Sequence, residues 1–140
     1  MVTVTRLEGK RLLCRAGRHQ IVTDRKPEDG GSDSGCSSGE LLLLAIGSCA
    51  TGSIRTYLEE NNLPGTEIMV DVGFEPTIPS ERDAVAIIVT LSADFPLQQI
   101  NGVKEAAISG GVVSRILLGS HVEVTVALHT ADTPQKTRHI

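Results

Sequence analysis

Cys14, Cys36 and Cys49 are the side chains of this 140-residue chain best suited to covalent chemistry. A thiol reacts as its thiolate, by attacking a peroxide oxygen or a disulfide, or it binds a soft metal. The separations of 22 and 13 residues fit neither a zinc knuckle nor a Cys-x-x-Cys redox pair, and an odd count argues against a disulfide-stapled scaffold. His19, His121, His129 and His139 are scattered at strand edges and in the tail, so no metal site is expected. Gly30-Gly31 lacks the Gly-Lys-Ser that completes a phosphate loop, and no cofactor is expected. Cys49 differs from the other two in its surroundings: Gly47, Ser48, Ala50, Gly52 and Ser53 place only short side chains around it. Such a neighbourhood admits a second backbone or leaves a small cavity. Cys49 is thus either an inert thiol in a tight helix contact or a nucleophile in a confined space.

The elements that must position it follow from pattern. Val2, Val4 and Leu7, then Leu12 to Cys14, then His19 to Thr23 read as an N-terminal meander of two or three strands. Residues 24–39 carry Pro, Asp, Gly and Ser with no large apolar residue, which describes an exposed loop. Ser37 or Ser38 then caps a helix with Glu40 in its first turn, running to about Asn61, where Asn61-Asn62-Leu63-Pro64-Gly65 stops it. Positions 41–46 are apolar all round, which predicts a helix enclosed by other elements. At 100° per residue, Cys49 shares a side with Leu42, Ala45, Ile46, Ser53 and Thr56. Glu67–Glu75 and Ala84–Ala93 alternate as an antiparallel hairpin with a long connection at 76–83. Leu97–Ser109 has helical spacing, Gly110-Gly111 breaks it, Val112–Leu118 forms a short further helix, and His121–His129 is a last strand. The fold class is α+β: one domain over 1–130, then a flexible tail over 131–140.

Composition bounds the partners. One Tyr, two Phe and no Trp leave almost no base-stacking surface, and a net charge of −4 without a basic block argues against nucleic acid and anionic membranes. The first twenty residues lack an apolar signal core, and Leu41–Ala50 is about half a bilayer crossing. A cytoplasmic protein with reduced thiols is expected.

The order of elements and two segments resemble the OsmC/Ohr family of organic hydroperoxide detoxification. The first segment is Gly30-Gly31 followed by Gly35-Cys36-Ser37-Ser38-Gly39-Glu40-Leu41-Leu42-Leu43-Leu44-Ala45-Ile46-Gly47-Ser48-Cys49. It is similar to the family's Gly-Gly loop, Pro-Ser-Pro, Glu-Leu-Leu-Leu-Ala and Gly-Ser-Cys. The second is Gly111-Val112-Val113-Ser114-Arg115-Ile116-Leu117, similar to Cys-Pro-Val-Ser-Arg-Thr-Leu. The likeness spans nearly all of residues 1–130. It implies antiparallel sheets wrapped around a long central helix in an intertwined homodimer, with sites at the subunit interface. It also implies a thiol-dependent peroxidase in which one cysteine is oxidised to a sulfenic acid and a second resolves it.

On that resemblance Cys49 stands at the first cysteine, and Gly111 stands where the second would be. Glu40 matches the widespread Glu, Gly39 replaces the further Glu of the peroxidase branch, and Arg25 is the only candidate for the activating Arg. Glu40 also has a purely structural reading as a helix-start acid, and Arg25 and Arg115 as surface cations. Cys36 is a candidate resolving thiol. With Cys49 about eleven residues into the helix, roughly 16 Å separates them, so they pair across a dimer or only if the loop folds back. Two functions follow. One is reduction of organic hydroperoxides by Cys49 alone with an external thiol as reductant, in oxidative-stress defence. The other is non-catalytic binding of a small apolar, acyl or thiol ligand in the interface pocket, with Gly111, Ser114 and Arg115 as binding residues.

Overall fold

The computed structural model describes residues 1–63, 67–75, 84–109, 111–113 and 122–129. The expected tail, the connection at 76–83, most of the short helix after Val112, and Ser114 and Arg115 lie outside these residues. The chain divides into two compact units, Met1–Leu44 and Ala45–Ile140.

In the first unit, β1 (Val2–Arg6), β2 (Leu12–Ala16) and β3 (His19–Thr23) form an antiparallel meander in that order. Its register sets Val4 opposite Cys14 and Cys14 opposite Ile21. These three residues share one face because side chains alternate along a strand. Cys14 is half-buried there.

The loop that follows is anchored, not merely exposed. Its anchor is Asp24, 4% exposed. Asp24 Oδ1 accepts from the Arg25 amide at 2.8 Å. Oδ2 accepts from the Ser32 amide and hydroxyl at 3.0 and 2.7 Å, and from those of Ser34 at 3.2 and 2.9 Å. The Asp24 amide donates to the Cys36 carbonyl at 3.3 Å. Glycine is required where the loop closes on itself: a Cβ on Gly31 would strike the Arg25 carbonyl, and one on Gly35 the Val22 carbonyl.

The hydrogen bond from the Ser32 hydroxyl, helped by three backbone amides, holds the Asp24 carboxyl far below the usual carboxylate range and outweighs the opposing effect of burial. A depressed folded value means that the unfolded chain binds more protons in the interval between the two pKa values, so stability rises with pH there. The contribution is complete above the ordinary carboxyl value of about 3.9 and falls away below it. We expect Asp24→Asn to lower Tm at pH 7 and the gap from wild type to shrink as pH drops below about 4. Thermal melts across that range check it, and a gap that widens in acid contradicts it.

α1 (Ser38–Glu60) begins with a reciprocal cap. The Glu40 amide donates to Ser37 Oγ at 3.2 Å, and the Ser37 amide donates to Glu40 Oε2 at 2.6 Å. At its other end Asn62 takes the left-handed conformation, φ 52°, and the Leu63 amide returns to the Leu58 carbonyl. By length and composition this 23-residue helix passes the test for a membrane span, which the ten-residue apolar stretch did not suggest. Thr51, Ser53 and Thr56 reconcile the two, since each hydroxyl donates to the carbonyl four residues earlier and so leaves little free polarity.

In the second unit Ile46, Ala50, Ile54 and Leu58 form the buried stripe of α1. The sheet is β4 (Met69–Glu75), β5 (Ala84–Ser92) and β6 (Val122–His129), with β5 central. β4 and β5 form the expected antiparallel hairpin, whereas β6 runs parallel to β5. A parallel pair needs a crossover of a dozen or more residues, which the segment containing α2 (Ile100–Ser109) supplies. Val85, Ile87, Val89 and Leu91 fill the core at alternate positions of β5, joined by Phe95, Val103 and Ala107. Gly47 brings α1 onto β4, where an added Cβ would sit 3.2 Å from Val72 Cγ2. Ile54 is fully buried at the centre, and Ile54→Ala is expected to cost about 2–5 kcal/mol in urea unfolding. A loss under about 1 kcal/mol would contradict this packing.

Candidate functional site

Cys49 sits half-buried on a groove of about 540 Å³ between α1 and α2. The α1 side presents Cys49, Ser53, Thr56 and Glu60 at helical spacing; the α2 side presents Gly102, Glu105 and Ser109, with Gly111 just beyond. The two helices approach closely because Gly102 has no side chain: a Cβ there would collide with the Tyr57 ring and hydroxyl. Tyr57 is held in that position by donating to Gln99 Oε1 at 2.5 Å.

At the groove's end the sulfur of Cys49 lies directly against Gly111. A Cβ on residue 111 would fall inside the van der Waals envelope of Cys49 Sγ, with Ser53 Oγ 3.8 Å away. The space left by the missing side chain is therefore taken up by the Cys49 sulfur. Among the described residues lining the groove, Glu60 and Glu105 are the only charged ones. The described lining supplies no cation to stabilise a thiolate or sulfenate.

The other described sequence candidates, Glu40, Arg25 and Cys36, belong to the first unit. Glu40 is committed to the start of α1. The Ser37 amide and then its hydroxyl hold the Glu40 carboxyl below its ordinary value, assisted by the nearby charge of Lys26, against a smaller desolvation effect. Arg25 is exposed; its amide donates to Asp24 and its carbonyl accepts from the Asp33 amide. Cys36 is half-buried with a free thiol. Among the described residues no group of His, Cys, Asp and Glu could hold a metal.

Sequence reasoning missed three features. The anchoring role of Asp24 had only the downstream Ser32 and Ser34 as a signal. The acidic pair Glu60 and Glu105 and the Tyr57–Gln99 contact depend on how α1 meets α2, which no local pattern encodes.

A family model described as "OsmC-like protein" matches residues 31–127, more than two thirds of the chain. The chain belongs to the OsmC-like family. Three solved structures share its α+β fold. An OsmC-like protein from Mycoplasma pneumoniae has 14% identity, coverage of 93% of this chain and 96% of its own, and a TM-score of 0.78. The organic hydroperoxide resistance protein OhrB of Bacillus subtilis has 18% identity, coverage of 92% and 96%, and a TM-score of 0.63. A putative organic hydroperoxide resistance protein from Vibrio cholerae, with captopril bound in one of its active sites, has 15% identity, coverage of 91% and 90%, and a TM-score of 0.61. At these identities the likeness is one of fold. No curated protein matches the chain by sequence. Within the OsmC-like fold, the contact between Cys49 and Gly111 brings together two positions that lie 62 residues apart in sequence.

Proposed function

We propose that this OsmC-like protein reduces organic hydroperoxides through Cys49 alone, with an external thiol completing the cycle. The observation that carries the reading is the half-buried Cys49 sulfur on the groove, packed against Gly111. The thiolate attacks the outer peroxide oxygen; the O–O bond breaks, an S–O bond forms, and the alkoxide takes a proton and leaves as alcohol. The resulting sulfenic acid condenses with a thiol to give a mixed disulfide and water, and a second thiol releases Cys49 as a thiolate with formation of the external disulfide. Arg25 and Glu40 are the proposed accessory groups, Glu40 by fixing the start of the helix that carries Cys49. Cys36 is the proposed alternative resolving thiol across a dimer. Consumption of cumene hydroperoxide by purified protein with a dithiol tests the reading; no consumption above the dithiol blank overturns it.

A second reading, non-catalytic binding of a small acyl or thiol ligand with Gly111, Ser114 and Arg115 contributing, is favoured by one observation. The described groove lining has no cation and no second thiol. An inactive protein whose melting temperature rises with such ligands supports it.

Both readings place the protein in the cytoplasm, as a homodimer. Support for the dimer comes from apolar residues that one chain leaves uncovered. In the first unit Val2, Val4 and Ile21 are 70%, 58% and 46% exposed on one face of the meander, and Leu42 and Leu44 of α1 are 45% and 61% exposed. We expect sedimentation at micromolar concentration to give twice the 14.8 kDa chain mass, and Leu44→Asp to shift it toward monomer. A monomeric wild type contradicts the assembly.

A further inference from the structure

The first unit contains a cavity that Cys49 does not line. It measures about 640 Å³, within the range of small-molecule sites. Four cations line it, Arg6, Lys10, Arg25 and Lys26, against two carboxylates, Asp24 and Asp29. The surplus is local: residues 1–44 carry seven Lys and Arg and six Asp and Glu, whereas the rest of the chain carries six and eleven. A concave cationic surface on an acidic protein is not what composition alone would produce.

The cations are also uncommitted. Among the described residues the ion pairs are Arg11 with Glu8 and Arg55 with Glu59, neither of which involves a cavity cation. Asp24, on the floor, is saturated by Arg25, Ser32 and Ser34. Lys26 shares its field with Glu40, whose carboxylate is held by Ser37. Arg6, Lys10 and Arg25 are left facing no carboxylate within ion-pair distance among the described residues. Donors surround them. Thr23, 3% exposed, is one of the lining residues and carries a hydroxyl. Ser38 and Gly39 form the first turn of α1, where amides have no partner within the helix.

We propose that this cavity binds a small phosphate ester. A phosphomonoester carries about −1.5 to −2 charge at pH 7 and three acceptor oxygens, which matches a surplus of two positive charges surrounded by hydroxyl and amide donors. Guanidinium groups grip phosphate through paired hydrogen bonds, and Leu12 offers the ester's organic part an apolar contact. Arg25 is the one lining residue shared with the peroxidase reading; the site does not include Cys49, and binding of the ester is tested without turnover.

Titration calorimetry at low salt, using the full chain with glycerol 3-phosphate and with inorganic phosphate, tests it. Saturable binding of glycerol 3-phosphate at one per chain is expected. Lys10→Gln should weaken it roughly tenfold and Arg6→Gln with Lys10→Gln further, because each removes a charge-assisted contact. Lys10→Arg should retain it, and Arg55→Gln, which is not among the lining residues, should leave it unchanged. Equal affinity in wild type and Lys10→Gln overturns the proposal. So does a response that sodium chloride reproduces at equal ionic strength, or association with phosphatidylserine vesicles without binding of the free ester.

Discussion

Replacing Cys49 with serine is expected to abolish hydroperoxide consumption, lowering turnover at least about a hundredfold, while the protein stays folded. The loss is large because a serine hydroxyl does not attack a peroxide oxygen at neutral pH, whereas a thiolate does. The fold survives because the substitution is nearly isosteric and Cys49 is only half-buried. Cys14→Ser should keep full turnover, since Cys14 sits in the meander between Val4 and Ile21. Cys36→Ser distinguishes the routes of resolution: unchanged turnover with a disulfide-linked dimer missing on oxidation assigns Cys36 a side reaction, and a large loss makes it the resolving thiol. Undiminished turnover in Cys49→Ser would end the one-cysteine mechanism. Mass spectrometry of the three thiols after stepwise peroxide checks the same point without substitution, because Cys49 should gain oxygen first.

How much of this was legible in the sequence depended on whether the deciding interaction is local. Ser37 and Glu40 form their cap three residues apart, and Asn62 ends α1 through its own backbone, so the helix boundaries could be read directly. The strand alternation that buries Val85, Ile87, Val89 and Leu91 was equally visible. The parallel pairing of β6 with β5 was not, because side-chain period says nothing about strand direction. Asp24 looked like one acid in a polar loop; its five hydrogen bonds exist only once Ser32 and Ser34 are folded back over it. The apolar turn at 41–46 predicted an enclosed helix, but Leu42 and Leu44 are 45% and 61% exposed. The pairing of residues 49 and 111 was legible only through resemblance to a family, since neither residue carries a local signal for the other.

That pairing makes position 111 the most sensitive place to test the site. Gly111→Ala puts a methyl group where the Cys49 sulfur already lies, and overpacking of this kind is expected to cost about 1–3 kcal/mol. In a Cys49→Ala background the sulfur is gone and the same change should cost almost nothing, so the double-mutant cycle isolates the contact. Additive costs would mean that the two residues do not touch. Gly111→Cys has the opposite sense once oxidised. Its thiol is attached at the point of contact, where its Cβ would stand 3.6 Å from Cys49 Cβ, inside the separation of about 3.5–4.5 Å that a disulfide needs. A bridge closing a loop of 62 residues restricts the unfolded chain by up to about 4 kcal/mol in the chain-entropy account. The oxidised variant should therefore melt above wild type and the reduced variant below it. Function should change as well: with a thiol beside the sulfenic acid, resolution becomes intramolecular, over-oxidation of Cys49 at high peroxide should fall, and a dithiol should become a better reductant than a monothiol. An oxidised variant with two free thiols at these positions would refute both the contact and the account of turnover built on it.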